Sequence, residues 1–176
     1  MTKKMKSLGI GAAAFFGLAL LIEAGTPTTA HAAEATQQIQ GRIVNAAVDR
    51  DCIEPDGKRI CTHEINGIAI SDQGELIDRT IIGNMYGGPA GSGEPSENRG
   101  YAVWKYPDGS TMLMKSEGKA ETNADGQRVV SGTKTCIEGT GRFANADCTI
   151  NWQHTPDKNG LRVGTYSGTI TPASQS

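Results

Sequence analysis

From residue 38 onward, apolar and polar residues alternate in short runs rich in β-branched side chains, each closed by a cluster of turn residues. This period of two predicts strands over 38–47, 62–71, 75–86, 99–107, 110–119, 127–137, 147–154 and 160–171. Tight reversals join them at Pro55-Asp56-Gly57, Asp72-Gln73-Gly74, Pro107-Asp108-Gly109, Ala124-Asp125-Gly126 and Asp157-Lys158-Asn159-Gly160, so successive strands are expected to run antiparallel. The connection at about 87–98 is longer, rich in glycine and proline, and reads as a mobile flap. No sustained helical period follows the N-terminal segment. Eight antiparallel strands can form a sandwich or a closed barrel. Glycines inside the strands, at Gly67, Gly83, Gly132, Gly164 and Gly168, favour the barrel, whose sharp coiling needs positions without a side chain. The expectation is therefore an all-β, calycin-like closed barrel of eight strands, its interior either filled or wide enough for one small ligand.

The first residues belong to a different pattern. Lys3, Lys4 and Lys6 precede an apolar run from Leu8 to Ile22, followed by Ala30-His31-Ala32, which matches a secretory signal peptide over 1–32 with cleavage after Ala32. The run is too short to span a bilayer, so the mature chain, 33–176, is expected to be a single barrel domain, secreted or periplasmic and not membrane-embedded. Losing Lys3, Lys4, Lys6 and Glu23 takes the 17 Lys+Arg and 19 Asp+Glu to 14 and 18. That acidic balance, with eight arginines scattered one per strand or turn, argues against a nucleic-acid partner.

Export gives the four cysteines a chemistry. In an oxidising compartment they are expected to form two disulfides. Of the three pairings available, Cys52–Cys61 and Cys136–Cys148 are favoured, because each pair flanks its own reversal. Zinc-type spacing is lacking and histidines are few, so no metal is expected, and no cofactor.

Between the second pair of cysteines lies Gly139-Thr140-Gly141-Arg142-Phe143-Ala144-Asn145-Ala146. This segment, with the final strands, resembles the GTG-x-F-x-x-A motif of the allene oxide cyclase and dirigent-like barrel superfamily. Members usually continue with Arg-Gly, where this chain has Asp147-Cys148. The resemblance implies an eight-stranded antiparallel barrel with a central cavity. It also implies binding of small apolar molecules, sometimes to steer a cyclisation or coupling, and a tendency to associate that leaves a homo-oligomer open. The motif has an architectural reading too: Gly139 and Gly141 shape a bulged connection, Phe143 plugs one barrel end and Arg142 sits at the rim.

Strand parity nominates the interior. Trp104 and Tyr106 share a face with Met112 and Met114 of the next strand, while Ile150, Trp152 and His154 share another. Trp104, Tyr106, Met112, Met114, Trp152, Tyr166 and Asn84 are the candidates for ligand binding, against the plainer reading that the aromatics and methionines fill a core. Candidates for catalysis are Glu64, Glu117 and Tyr101, since a cofactor-free cyclase or isomerase needs a positioned carboxylate or tyrosine in a dry cavity. Either carboxylate would have a raised pKa if it faced inward and an ordinary one in solvent. His63 and His154 read as rim residues near strand ends. Three functions stay open: a carrier of a small apolar or aromatic molecule, a cyclase or isomerase on the same barrel, and a structural or interaction protein with a filled core.

Overall fold

Eight strands follow chain order around a closed antiparallel barrel: β1 (Gln37–Ile53), β2 (Arg59–Ser71), β3 (Leu76–Gly87), β4 (Ser96–Lys105), β5 (Thr111–Thr122), β6 (Arg128–Gly139), β7 (Asp147–Pro156) and β8 (Leu161–Thr171). The computed structural model describes residues 35–89, 91–157, 159 and 161–173. The signal peptide expected over 1–32 lies outside the described residues. β8 closes on β1, with Gln37 opposite Ile170 and Ala46 opposite Leu161, so the sheet joins its own first strand. No helix among the described residues is long and apolar enough to cross a membrane.

The alternation places side chains as the sequence pattern predicts. Along β5, Met112, Met114, Ser116 and Ala120 are buried inside, while Lys115, Glu117, Lys119 and Glu121 face solvent. Several strand boundaries differ from expectation. β1 continues past residue 47 to Ile53 and β2 begins at Arg59, so the first hairpin narrows to Glu54–Lys58. Asp56 and Gly57 make its reversal in the left-handed region, at φ 50° and 71°. β4 begins at Ser96, paired with Gly87, which shortens the flap to residues 88–95.

Both expected disulfides form, Cys52–Cys61 and Cys136–Cys148. The first joins directly opposed residues of β1 and β2. The second ties β6 to the start of β7 across the Gly139–Ala146 segment. Two disulfides suit an oxidising, extracellular setting.

Cross-strand Gly83 and Gly100 show why glycine occupies strand interiors here. They pair directly, and a Cβ on Gly100 would lie 2.6 Å from the Cα of Gly83. The two backbones approach more closely there than any side chain allows.

One half of the barrel is packed solid. Ile43, Ile77, Ala102, Trp104, Met112, Met114, Ile150 and Ile170 are buried together, with the Tyr166 ring edge-on to Trp104 at 5.0 Å. The tight turn Gly141–Phe143 closes this end. It buries Phe143 against Tyr106, ring centroids 4.5 Å apart. Above them the Arg142 guanidinium lies 4.7 Å from the Tyr106 ring and ion-pairs with Glu75 at 2.6 Å and Asp108 at 3.5 Å.

Candidate functional site

The other half of the barrel encloses a cavity of about 480 Å³. It opens where the β1–β2, β3–β4, β5–β6 and β7–β8 connections gather, opposite the Phe143 plug. Its size is ordinary for a small-molecule site. Ile65, Ile81, Met85, Val130 and Trp152 supply apolar wall, and Ser96, Asn98 and Ser116 supply small polar groups.

Five of the eight arginines converge on this space: Arg50, Arg59, Arg79, Arg128 and Arg162, with His63 and His154 between them. Strand parity does most of the gathering. On β3, Arg79 takes the inward position between Ile77 and Ile81. On β6, Arg128 shares the inner face with Val130 and Lys134, and on β8, Arg162 shares it with Tyr166. Arg50 arrives by another route. The β1–β2 register shifts between Ala47 and Asp49, and this bulge puts Arg50 opposite the inward His63.

Few of these cations are neutralised by protein. Among the described residues only Arg59 of the five has a carboxylate within ion-pair distance, Glu54 at 3.6 Å. Arg128 donates to the Ser96 hydroxyl at 2.7 Å. Arg79 is 3% exposed, and its Nε and Nη1 have no hydrogen-bond partner among the described residues. Fully buried Lys134 stands over the Trp152 ring, and its Nζ is likewise unpartnered.

Burial lowers Arg79, Lys134, His154 and His63, and neighbouring positive charge adds to it for the last three. Burial lowers Arg79 to about 10. It also pushes Lys134 well below its usual value, helped by the charge of Arg79. His154 falls to about 3 through burial, then through Arg162, Arg79 and Lys134. His63 is lowered by burial and by Arg162 and Arg50. The positive field of the cavity therefore comes from its arginines, with His154 held neutral.

The residues nominated from sequence divide sharply. Trp152 lines the cavity, whereas Trp104, Tyr106, Met112, Met114 and Tyr166 face inward but belong to the packed half. Asn84 is exposed on the outer face of β3. Tyr101 is 58% exposed. Glu117 is exposed and paired with Lys115 at 2.9 Å, which holds its carboxyl below the ordinary value. Glu64 also points outward, half-buried, and accepts a hydrogen bond from Asn66 at 3.1 Å. His154, read as a rim residue, is instead buried and stacked on Trp152 at 5.3 Å. The missed residues are the arginines and Lys134. Their signal was a charged residue on the inward parity of an otherwise apolar or small-residue face, as in Ile77-x-Arg79-x-Ile81.

No family model matches the chain, and no curated protein matches it either. Among solved structures it is similar to two pterocarpan synthase dirigent proteins. One aligns at 11% identity and a TM-score of 0.49, covering 79% of this chain and 91% of that one. The second aligns at 12% identity and 0.49, covering 82% and 99%. At such identities the likeness concerns the path of the chain and leaves the site to be read from its own residues.

Proposed function

We propose that this protein is an exported, disulfide-locked barrel that binds one small molecule in the cavity opposite the Phe143 plug. The observation that carries this reading is the unequal filling of the interior. One half is packed with Trp104, Met112, Met114 and Ile150, while the other leaves about 480 Å³ between Trp152, Ile65 and Ile81. A protein built only as a scaffold gains nothing from such a space, since filling it would add buried apolar area and dispersion contacts. A cyclase or isomerase would want a carboxylate or tyrosine facing the substrate, yet Glu64, Glu117 and Tyr101 face outward. Among the described residues the strands of the cavity wall carry arginines and histidines but no carboxylate or tyrosine to fill that role.

The test is native mass spectrometry of the mature protein isolated from the producing cell, alongside an Ala120→Phe variant. Ala120 lines the cavity, and a phenyl ring there occupies it. A small-molecule adduct on the wild type that disappears in folded A120F supports the proposal. An adduct of equal occupancy in both would place the ligand elsewhere and end this reading.

A further inference from the structure

The basic lining of the cavity goes further than its size. Among the described lining residues the one carboxylate is Glu94, on the β3–β4 loop, against five arginines and two histidines. Lys134, standing over the Trp152 ring, places a further amine beside that lining. Burying an unpaired cation is among the costlier things a fold can do, so such groups ordinarily meet a carboxylate within the chain. Surface arginines of this same protein do: Arg99 pairs with Glu97, and Arg142 with Glu75 and Asp108. Of the inward ones only Arg59 meets one, Glu54, whereas Arg79, nine-tenths buried, lines the cavity with two guanidinium nitrogens unpartnered among the described residues.

We infer that the cavity accepts a small organic anion carrying more than one negative charge. One acidic group sits against Arg79, further negative charge lies among Arg50, Arg128 and Arg162, and the carbon body rests on Trp152, Ile65 and Ile81. This rests on the reading of the cavity as the ligand site. The guanidinium fork suits carboxylate and phosphate alike, because both offer two oxygens at its spacing. Its planar face also lies well on an aromatic or unsaturated body. The volume far exceeds that of an inorganic ion, which is why the anion must have an organic part. Several cations converging on one space likewise ask for more charge than a single acid supplies.

Two fluorescent probes of similar shape separate charge from cavity: 8-anilinonaphthalene-1-sulfonate, an aromatic anion, and N-phenyl-1-naphthylamine, its uncharged counterpart. The wild type should bind the sulfonate at least roughly tenfold more tightly at low salt, and sodium chloride should erode that preference. Arg162→Gln at the mouth and Arg79→Gln deeper in should each cut sulfonate affinity by roughly tenfold while leaving the neutral probe unchanged. R162Q keeps the test decisive should R79Q fold poorly. Citrate and inorganic pyrophosphate are then titrated as competitors. Displacement by citrate alone assigns a polycarboxylate, displacement by pyrophosphate alone assigns a phosphate ester, and displacement by neither overturns the inference. Equal affinity for the two probes would also overturn it while leaving the cavity as a small-molecule site. Failure of both probes to bind would remove the cavity reading itself.

Discussion

Lys134 Nζ lies 4.2 Å from the centroid of the Trp152 ring and has no hydrogen-bond partner among the described residues. The contact is a cation–π interaction inside a barrel, where the ring recovers only part of what the ammonium loses in leaving water. Burial accordingly pushes Lys134 well below its ordinary pKa. Replacing it with methionine keeps the length and apolar stem and discards the unpaired nitrogen. Lys134→Met should therefore raise thermal stability, by about 1–2 kcal/mol in denaturant titration. A loss of stability would mean that the lysine has a partner in solution that offsets its burial.

His154 carries the same electrostatics into pH dependence. Its folded pKa is about 3 against an ordinary 6.5, through burial first and the charges of Arg162, Arg79 and Lys134 after it. The folded pKa is depressed, so the unfolded chain binds the proton more readily. Stability is unaffected above about pH 6.5, falls as pH drops below it, and is fully reduced only below about pH 3. His63 is lowered in the same sense and adds to the slope. His154→Phe preserves the stacking on Trp152 and removes one titration, so its unfolding free energy should decline less steeply between pH 6 and pH 4 than that of the wild type. Parallel curves would show that His154 is not held neutral.

The barrel was readable because β4 and β5 spell out their alternation. Trp104, Met112 and Met114 stand on one parity, and Pro107-Asp108-Gly109 makes a single reversal between them. The second half of β1 was not, since Asp49-Arg50-Asp51 is polar on both faces and the bulge after Ala47 changes which residues point inward. The start of β4 hid for a related reason. Ser96 and Asn98 face a polar cavity, so its inner face lacks the apolar residues by which strands are recognised. The arginine cluster was concealed by spacing. One charge per strand looks dispersed along a chain, and only the register between strands brings Arg59, Arg79, Arg128 and Arg162 to one end of the barrel.

Phe143 offers a contrast in which motif and architecture coincide. It is buried against Tyr106, with Arg142 lying over both rings. Phe143→Ala removes the plug and should cost about 3–5 kcal/mol, read from chemical denaturation. Arg142→Ala leaves the rings in place. Its side chain is nearly half exposed and its ion pairs are screened, so about 1 kcal/mol is expected. Similar costs for the two variants would mean that the ion pairs, and not the ring, close this end.

The two disulfides should separate stability from binding. Arg50 Nη2 lies 3.7 Å from Cys61 Sγ and Arg59 Nη2 lies 3.6 Å from Cys52 Sγ, so the first bridge lies against two cavity arginines. The second, Cys136–Cys148, belongs to the packed half, with Cys148 among the buried core residues. The loops they close are similar, with sequence separations of 9 and 12, so each double alanine variant should lose about 3 kcal/mol. Their effects on an aromatic anion should differ. The Cys52→Ala/Cys61→Ala variant frees Arg50 and Arg59 to move and should bind the sulfonate probe several-fold more weakly at a temperature where both variants are folded. The Cys136→Ala/Cys148→Ala variant should bind it like the wild type, because its bridge lies in the packed half. Equal weakening in both would mean that the whole barrel, and not its mouth, had relaxed.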